Sequence, residues 1–244
     1  MRQAAAAEEV SAKRNIVVLT GAGMSAESGV PTFRGVDGLW EGHRIQDVAS
    51  PEGFIRDPEL VHRFYNLRRA ALNTVEPNAG HLALASMERE WQGRFLLVTQ
   101  NVDDLHERVG SEKLIHMHGE LLKARCELCG AVLFWNKELS SGTRCRACGE
   151  IGGLRPHIVW FGEFPFEMEI IMNALNSADV FLCIGTSGVV YPAAGFAQVA
   201  ARHPNCHLIE MNIERTEISR HFHEHIVGPV SIELPTVVKR LLSA

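Results

Sequence analysis

The sequence predicts an α/β fold: a parallel sheet with helices packed on it, and a smaller domain built from two insertions over the carboxyl edge of the strands. Short apolar runs rich in branched residues each stop at a polar or glycine-rich stretch, and helical segments separate them. Two segments break this rhythm, one of them carrying four spaced cysteines.

The apolar runs are NIVVLT (15–20) before GAGMSAESG, RFLLVT (94–99) before QNVDDLH, DVFLCI (179–184) before GTSGVVYP, and CHLIEM (206–211) before NIE. Runs of this length and composition read as buried parallel strands when helices such as His81–Trp91 and Phe166–Ser177 lie between them. Ligands of such sheets bind at the carboxyl ends of the strands, so all four polar stretches lie on the binding edge. The interrupting segments are 41–78, mostly helical and bounded by Pro51, Pro58 and Pro77, and 119–154, which holds the cysteines.

At 244 residues the chain accommodates one large core with a satellite domain. A net charge of −5 lacks the basic surplus that nucleic acid binding needs. No apolar run approaches the ~20 residues that span a bilayer, and MRQAAAAEEVSAKR has acids where a signal peptide needs an apolar core, so a cytoplasmic location with no membrane partner is expected. The oligomeric state is not legible.

Cys126-Glu-Leu-Cys129 and Cys145-Arg-Ala-Cys148, fifteen residues apart and each followed by glycine, have the spacing of a structural zinc site. Four thiolates leave no open coordination position, so the metal would hold a core-poor segment folded. Cys183 and Cys206 read as small core residues.

Gly21-Ala22-Gly23-Met24-Ser25-Ala26, directly after a strand, matches a G-x-G-x-x-G/A dinucleotide loop. The acid that usually ends a second strand about twenty residues on is missing, which argues against a hydride-transfer enzyme. In His116-Met117-His118-Gly119-Glu120 a histidine beside glycine at a strand edge has the right pKa for a general base, although both histidines read equally as satisfied structural groups.

The helix through HRFYNLRRA (62–70) raises a question of its own. Counted at about 100° per residue from Leu60, its apolar stripe centres on Leu67, Leu60, Ala71, Phe64 and Val75; Arg68 falls inside the stripe with Tyr65 beside it, and Arg69 points to the polar side. A guanidinium on a buried face needs an anion.

Read together, GAGMSAESGVPTFRG, TQNVDDLH, HMHGE, the four cysteines, LRPHIVWFGE, IGTSGVVYP and MNIE resemble, in order and spacing, the sirtuins, a family of NAD-dependent protein deacylases. The resemblance runs from about Asn15 to about Pro235. It implies one catalytic region over 1–244, with a large domain of approximately 1–40, 79–118 and 155–244 and a small domain of approximately 41–78 (helical) and 119–154 (zinc-binding). The large domain would be a Rossmann-like parallel sheet with helices on both faces, and the small one a zinc-ribbon and helical unit. NAD and an acyl-lysine protein substrate would meet in the cleft between them.

On the matching positions, the resemblance implies that Gly21, Ala22, Gly23, Ser25, Ala26, Glu27, Thr32, Phe33, Arg34 and Trp40 surround the pyrophosphate and nicotinamide ribose. Gln100 would contact that ribose, Asn101 and Asp103 would line the nicotinamide pocket, and Gly185, Thr186, Ser187, Asn212, Glu214 and Val230 would hold the adenosine half. His118 would be the catalytic base, taking a proton from a ribose hydroxyl, with nicotinamide, O-acyl-ADP-ribose and free lysine as products. The peptide would lie extended between Val159-Trp160-Phe161-Gly162-Glu163 and Gly188-Val189-Val190-Tyr191, which can donate main-chain hydrogen bonds.

Members with a Tyr-x-x-Arg pair on this helix resemble one another in preferring negatively charged acyl groups, and here the pair is Tyr65 and Arg68. Removal of acetyl and especially succinyl or malonyl groups is therefore expected. The alternatives are deacetylation alone, with Arg68 paired to an internal acid such as Glu41 or Asp57, and ADP-ribosyl transfer on the same NAD site.

Overall fold

The computed structural model describes residues 14–32 and 39–243. The strands, in chain order, are β1 (Ile16–Thr20), β2 (Leu39–Trp40), β3 (His43–Arg44), β4 (Phe95–Thr99), β5 (Leu114–His116), β6 (Gly119–Cys126), β7 (Val132–Phe134), β8 (Leu154–Ile158), β9 (Val180–Ile184), β10 (His207–Asn212) and β11 (Glu224–Val227). The helices are α1 (Gly23–Ala26), α2 (Ile45–Val48), α3 (Pro51–Arg56), α4 (Pro58–Ala71), α5 (Ala79–Glu90), α6 (Leu105–Arg108), α7 (Met168–Asn176), α8 (Phe196–Ala200) and α9 (Val230–Leu242).

Six strands form one sheet in the order β11-β10-β9-β1-β4-β5, and every neighbouring pair is parallel. The four expected strands are its centre, and the short edge strands β5 and β11, too brief to carry a pattern, complete it. From β1 the chain builds outward to β4 and β5, then returns to β9 and builds the other way. This is the doubly wound order, and its reversal point lies between β1 and β9.

The two faces follow from alternation along β1. Ile16 and Val18 pack with Leu84 and Met87 of α5 and Leu234 and Val238 of α9, while Val17 and Leu19 pack with Ile171 and Leu175 of α7 and Phe196 of α8. All five β1 residues are buried, as a strand covered on both faces requires.

The interrupting segments assemble at the carboxyl edge. β6 pairs antiparallel with β7 and β8 around a small core of Ala124, Trp135, Leu139 and Leu154. The helices α2 to α4 pack on the same unit through Val48, Val61, Phe64, Tyr65, Leu121 and Trp160. Asp57 caps α4 by accepting from the Leu60 amide at 2.9 Å, with Pro58 at its first turn.

The predicted facing of α4 is corrected in three places. Leu67 and Ala71, placed in the stripe, are exposed, Leu67 at 72%, and Arg69, placed on the polar side, is 3% exposed. The helix is held from two sides, by the α2 and α3 helices and by the loop after β7, so its buried arc is wider than the stripe and displaced from it. Arg69 is accommodated because Nε donates to the Leu121 carbonyl at 2.8 Å and Nη1 to Asn66 Oδ1 at 2.8 Å.

Candidate functional site

Two backbone loops meet at the reversal point between β1 and β9. The Gly21 amide donates to the Ile184 carbonyl at 2.9 Å, and the Gly23 amide to the Gly185 carbonyl at 2.8 Å. The approach leaves no room for side chains: a Cβ on Gly23 would stand 2.7 Å from Gly185 Cα, and Gly185 has φ +61. Glycine therefore serves here for close backbone approach, and it places the start of α1 over the sheet edge.

Polar side chains from the other strand ends converge on this crevice. Gln100 Nε2 donates to Thr186 Oγ1 at 3.0 Å, Asn212 Nδ2 to the Thr186 carbonyl at 2.9 Å, and Asn101 Nδ2 to Ser25 Oγ at 3.1 Å. Asp103 is buried, and burial raises its pKa against the opposing hydrogen bonds from Leu105 and Ser25. Gly21, Gly23, Ser25, Gln100, Asn101, Gly185, Thr186 and Asn212 are thus linked into one constellation. Glu27 joins α1 to the start of α9 by accepting from the Ser231 amide at 3.1 Å. Val230 is buried there, whereas Ser187 and Glu214 are exposed at the same edge. Phe33 and Arg34 lie outside the described residues.

His118 enters from the turn between β5 and β6. Its Nδ1 faces the Gln100 carbonyl at 3.1 Å, and a carbonyl can only accept, so Nδ1 carries the proton and the neutral ring keeps its lone pair on Nε2. Burial lowers its pKa, outweighing that hydrogen bond, so the ring is the unprotonated base at neutral pH. His116 is the opposite case: Nδ1 faces the Asn101 carbonyl at 3.1 Å and Nε2 the Glu107 carboxylate at 2.7 Å. Burial opposes the charged ring, but Glu107 and the other acceptors prevail and raise its pKa. Glu107, His116 and Glu120 have ligand atoms within 4.8 Å of one another, yet Glu107 is already met by His116 and Glu120 by Lys123, each at 2.7 Å.

The four cysteine sulfurs also lie within 4.8 Å of one another, with 3.9 Å between Cys126 and Cys148 and between Cys129 and Cys145. Zinc at about 2.3 Å from each thiolate has tetrahedral sulfur-to-sulfur edges of about 3.8 Å, so the cluster fits a structural zinc site. Gly130 and Gly149, at φ +75 and +80, turn the chain back after each Cys-x-x-Cys pair.

Tyr65 is fully buried, and its hydroxyl accepts from Trp160 Nε1 at 3.0 Å. Arg68 stands 2.9 Å from Glu41, one of the two internal acids named above, with its guanidinium 4.2 Å from the Trp40 ring centre. In the stretch Val159–Glu163 the backbone donors are largely engaged. The Val159 amide donates to the His118 carbonyl at 2.9 Å, the Phe161 amide to the Ala49 carbonyl at 3.0 Å, and the Trp160 amide to Glu163 at 2.8 Å. The expected donation is corrected for these three amides, which are held by His118, Glu163 and Ala49. Val190 is half-buried and Tyr191 is 75% exposed.

Two groups of residues were missed. Thr20 Oγ1 bonds Thr99 Oγ1 at 2.9 Å and His106 Nε2 at 3.2 Å beneath the glycine loop; the signal was a threonine closing two buried strands. Arg155, buried in β8, binds the Glu163 carboxylate at 2.7 and 3.0 Å and lies 3.3 Å from the Trp160 ring centre. An arginine within LRPHIVWFGE, eight residues before a glutamate, was the visible hint.

Comparison with known proteins agrees with this arrangement. A profile described as Sir2 family matches residues 21–192. A Vibrio vulnificus protein named NAD-dependent protein deacylase is 54% identical over 232 residues, covering 94% of each chain. An Escherichia coli K12 protein of the same name is 53% identical, covering 96% of this chain and 84% of its own. Among solved structures, a Sir2 homologue in complex with NAD superposes with a TM-score of 0.84 at 38% identity, covering 93% of this chain and 89% of that one. A Sir2 variant with a deacetylated p53 peptide and 3'-O-acetyl-ADP-ribose superposes with a TM-score of 0.79 at 28% identity, covering 94% and 93%.

Proposed function

Because this chain belongs to the Sir2 family, we propose that it works as an NAD-dependent protein-lysine deacylase that removes acetyl and, by way of Tyr65 and Arg68, negatively charged acyl groups such as succinyl and malonyl. Nicotinamide, O-acyl-ADP-ribose and free lysine are the products. The observation that carries the reading is His118, a neutral base whose Nδ1 proton is committed to the carbonyl of Gln100, the residue whose side chain reaches Thr186 in the crevice.

When bound, NAD would supply an electrophilic ribose carbon, attacked by the acyl oxygen of the modified lysine as nicotinamide leaves. Gly21 and Gly23 of the loop between β1 and α1, free of side chains, would let the pyrophosphate approach the start of α1, where anions are favoured. Asn101 and Asp103 orient the nicotinamide amide; the raised pKa of Asp103 reflects how thoroughly water is kept from this pocket. Nε2 of His118 takes a proton from a ribose hydroxyl, activating that oxygen toward the acyl carbon. The peptide is gripped by the carbonyls of Val159–Glu163 and by Gly188–Tyr191, so sequence demands on the target are loose.

Tyr65 supports acid recognition because its oxygen accepts from Trp160, leaving the phenolic proton available to a carboxylate beside Arg68. Such a charge-assisted contact is worth roughly 1.5–3 kcal/mol, or about 10- to 150-fold in kcat/KM. Mass spectrometry of succinyl-, malonyl- and acetyl-lysine peptides incubated with and without NAD tests the reading. Arg68→Met should cut desuccinylation at least about tenfold and spare deacetylation. Equal losses would make Arg68 structural, and label from NAD appearing on protein would indicate ADP-ribosyl transfer.

A further inference from the structure

Resting on that reading, we propose that Glu41 sets acyl specificity: its carboxylate occupies Arg68 in the free protein, and an acidic acyl group must displace it. Arg68 has a side chain only 9% exposed, and Glu41, 34% exposed, reaches it from the rim at 2.9 Å. The pairing is incomplete. Among the described residues, neither Nε nor Nη1 of Arg68 has an acceptor aligned for a hydrogen bond, so the contact is an ion pair by distance alone. A buried guanidinium held this way retains donors for a better-placed carboxylate.

The backbone at Glu41 points the same way. Trp40 pairs with His43 across a two-residue turn, and both turn residues are left-handed, Glu41 at φ +50 and Gly42 at φ +82. Asparagine or glycine normally fills such a position, because a side chain with a Cβ and a long stem is disfavoured there. A glutamate in a strained turn, carrying its carboxylate to the one guanidinium assigned to substrate, suggests that the charge is kept for its effect on Arg68.

The consequence is asymmetric. A neutral acetyl group does not need Arg68, so the internal pair leaves its binding alone. An acidic acyl group competes with Glu41, and its apparent affinity is reduced by the fraction of protein in which Arg68 is free. Glu41 would thereby restrain the preference for acidic groups that Tyr65 and Arg68 create.

The test measures kcat and KM with NAD on succinyl-lysine and acetyl-lysine peptides of one sequence, for wild type, Glu41→Gln, Glu41→Asp, Arg68→Met and the Glu41→Gln/Arg68→Met double variant. Glutamine keeps the size and backbone preference of glutamate and removes only the charge. Glu41→Gln should lower the succinyl-peptide KM by about three- to tenfold relative to the acetyl-peptide KM, with kcat nearly constant. Glu41→Asp, which keeps the charge on a shorter stem, should fall between, and the effect should vanish in the double variant. An unchanged KM ratio in Glu41→Gln, or an equal fall on both peptides, would overturn the role of Glu41. If Arg68→Met still loses desuccinylation selectively, the acyl-group reading survives that failure; if it does not, both fall.

Discussion

Replacing Gly23 by alanine tests the claim that backbone contact between two loops builds the dinucleotide site. The new Cβ would lie 2.7 Å from Gly185 Cα and 2.9 Å from the Gly185 oxygen. Carbon atoms rest at about 3.5–4.0 Å, so the loops must part by roughly 0.8 Å. Neither loop can yield freely, because the Gly21 and Gly23 amides bind the β9 side at 2.9 and 2.8 Å. Overpacking of this kind costs about 1–3 kcal/mol, which in a protein of this size lowers Tm by about 2–12 °C. The same displacement moves the start of α1 proposed to meet the pyrophosphate, and losing one charge-assisted contact there weakens NAD binding by at least about tenfold. Calorimetric titration of NAD and a melting curve measure both effects, with Gly142→Ala as control because its Cβ would find no heavy atom nearer than 3.8 Å. If Gly23→Ala binds NAD and melts like the control, the loops do not form the site in the way argued here.

His118→Ala should abolish turnover while circular dichroism and NAD affinity stay unchanged; retained turnover would remove it as the base. With its pKa held below the ordinary histidine value by burial, kcat/KM attributable to this group should be level through neutral pH and decline only on acidification below about 6.5. The fold itself should weaken in the same direction. Burial pushes His81 down to about 4, and His106 is also lowered, so below pH ~6.5 the unfolded chain binds protons that the folded chain refuses. Stability is complete above that pH and is lost toward pH 4, by up to about 3 kcal/mol from His81 alone, and Tm measured from pH 7 to 4.5 should record it. Elemental analysis should find about one zinc per chain, and a strong chelator should loosen residues 119–154 in hydrogen exchange before the six-stranded sheet opens. Tyr65→Phe should leave buried Trp160 Nε1 without its acceptor and cost about 1–3 kcal/mol, visible as a lower Tm whatever the acyl substrate.

The central strands and the cysteine cluster were legible because each depends on few variables. A strand covered on both faces needs only a short continuous apolar run, which β1, β4, β9 and β10 supply. Four thiolates at this spacing have one common use. The histidine was not legible from its neighbours, since HMHGE contains two, and what separates them is the partner of the second ring nitrogen. His116 faces a carboxylate and is driven toward the charged form, whereas burial keeps His118 neutral. That difference arises from Glu107, nine positions away on another element, and no local pattern encodes it.

The α4 helix shows how far periodicity reaches. A wheel assumes one buried face, and α4 has contacts on two sides, so the wheel placed Leu67, Ala71 and Arg69 on the wrong sides while placing Tyr65, Phe64 and Arg68 correctly. The two arginines are both enclosed, but they differ in their partners. Arg69 donates to carbonyls of β6 and of the loop after β7 and to the Asn66 amide oxygen of its own helix, neutral groups that form as the chain folds and have no reason to leave. Arg68 meets a charged group on a two-residue turn at the rim, partly exposed and lacking hydrogen-bond alignment. Neutral, well-aligned acceptors suit a permanent structural cation. A single misaligned carboxylate at the edge suits one whose partner is exchanged, and that distinction supports proposing the substrate role for Arg68 and not for its more deeply buried neighbour.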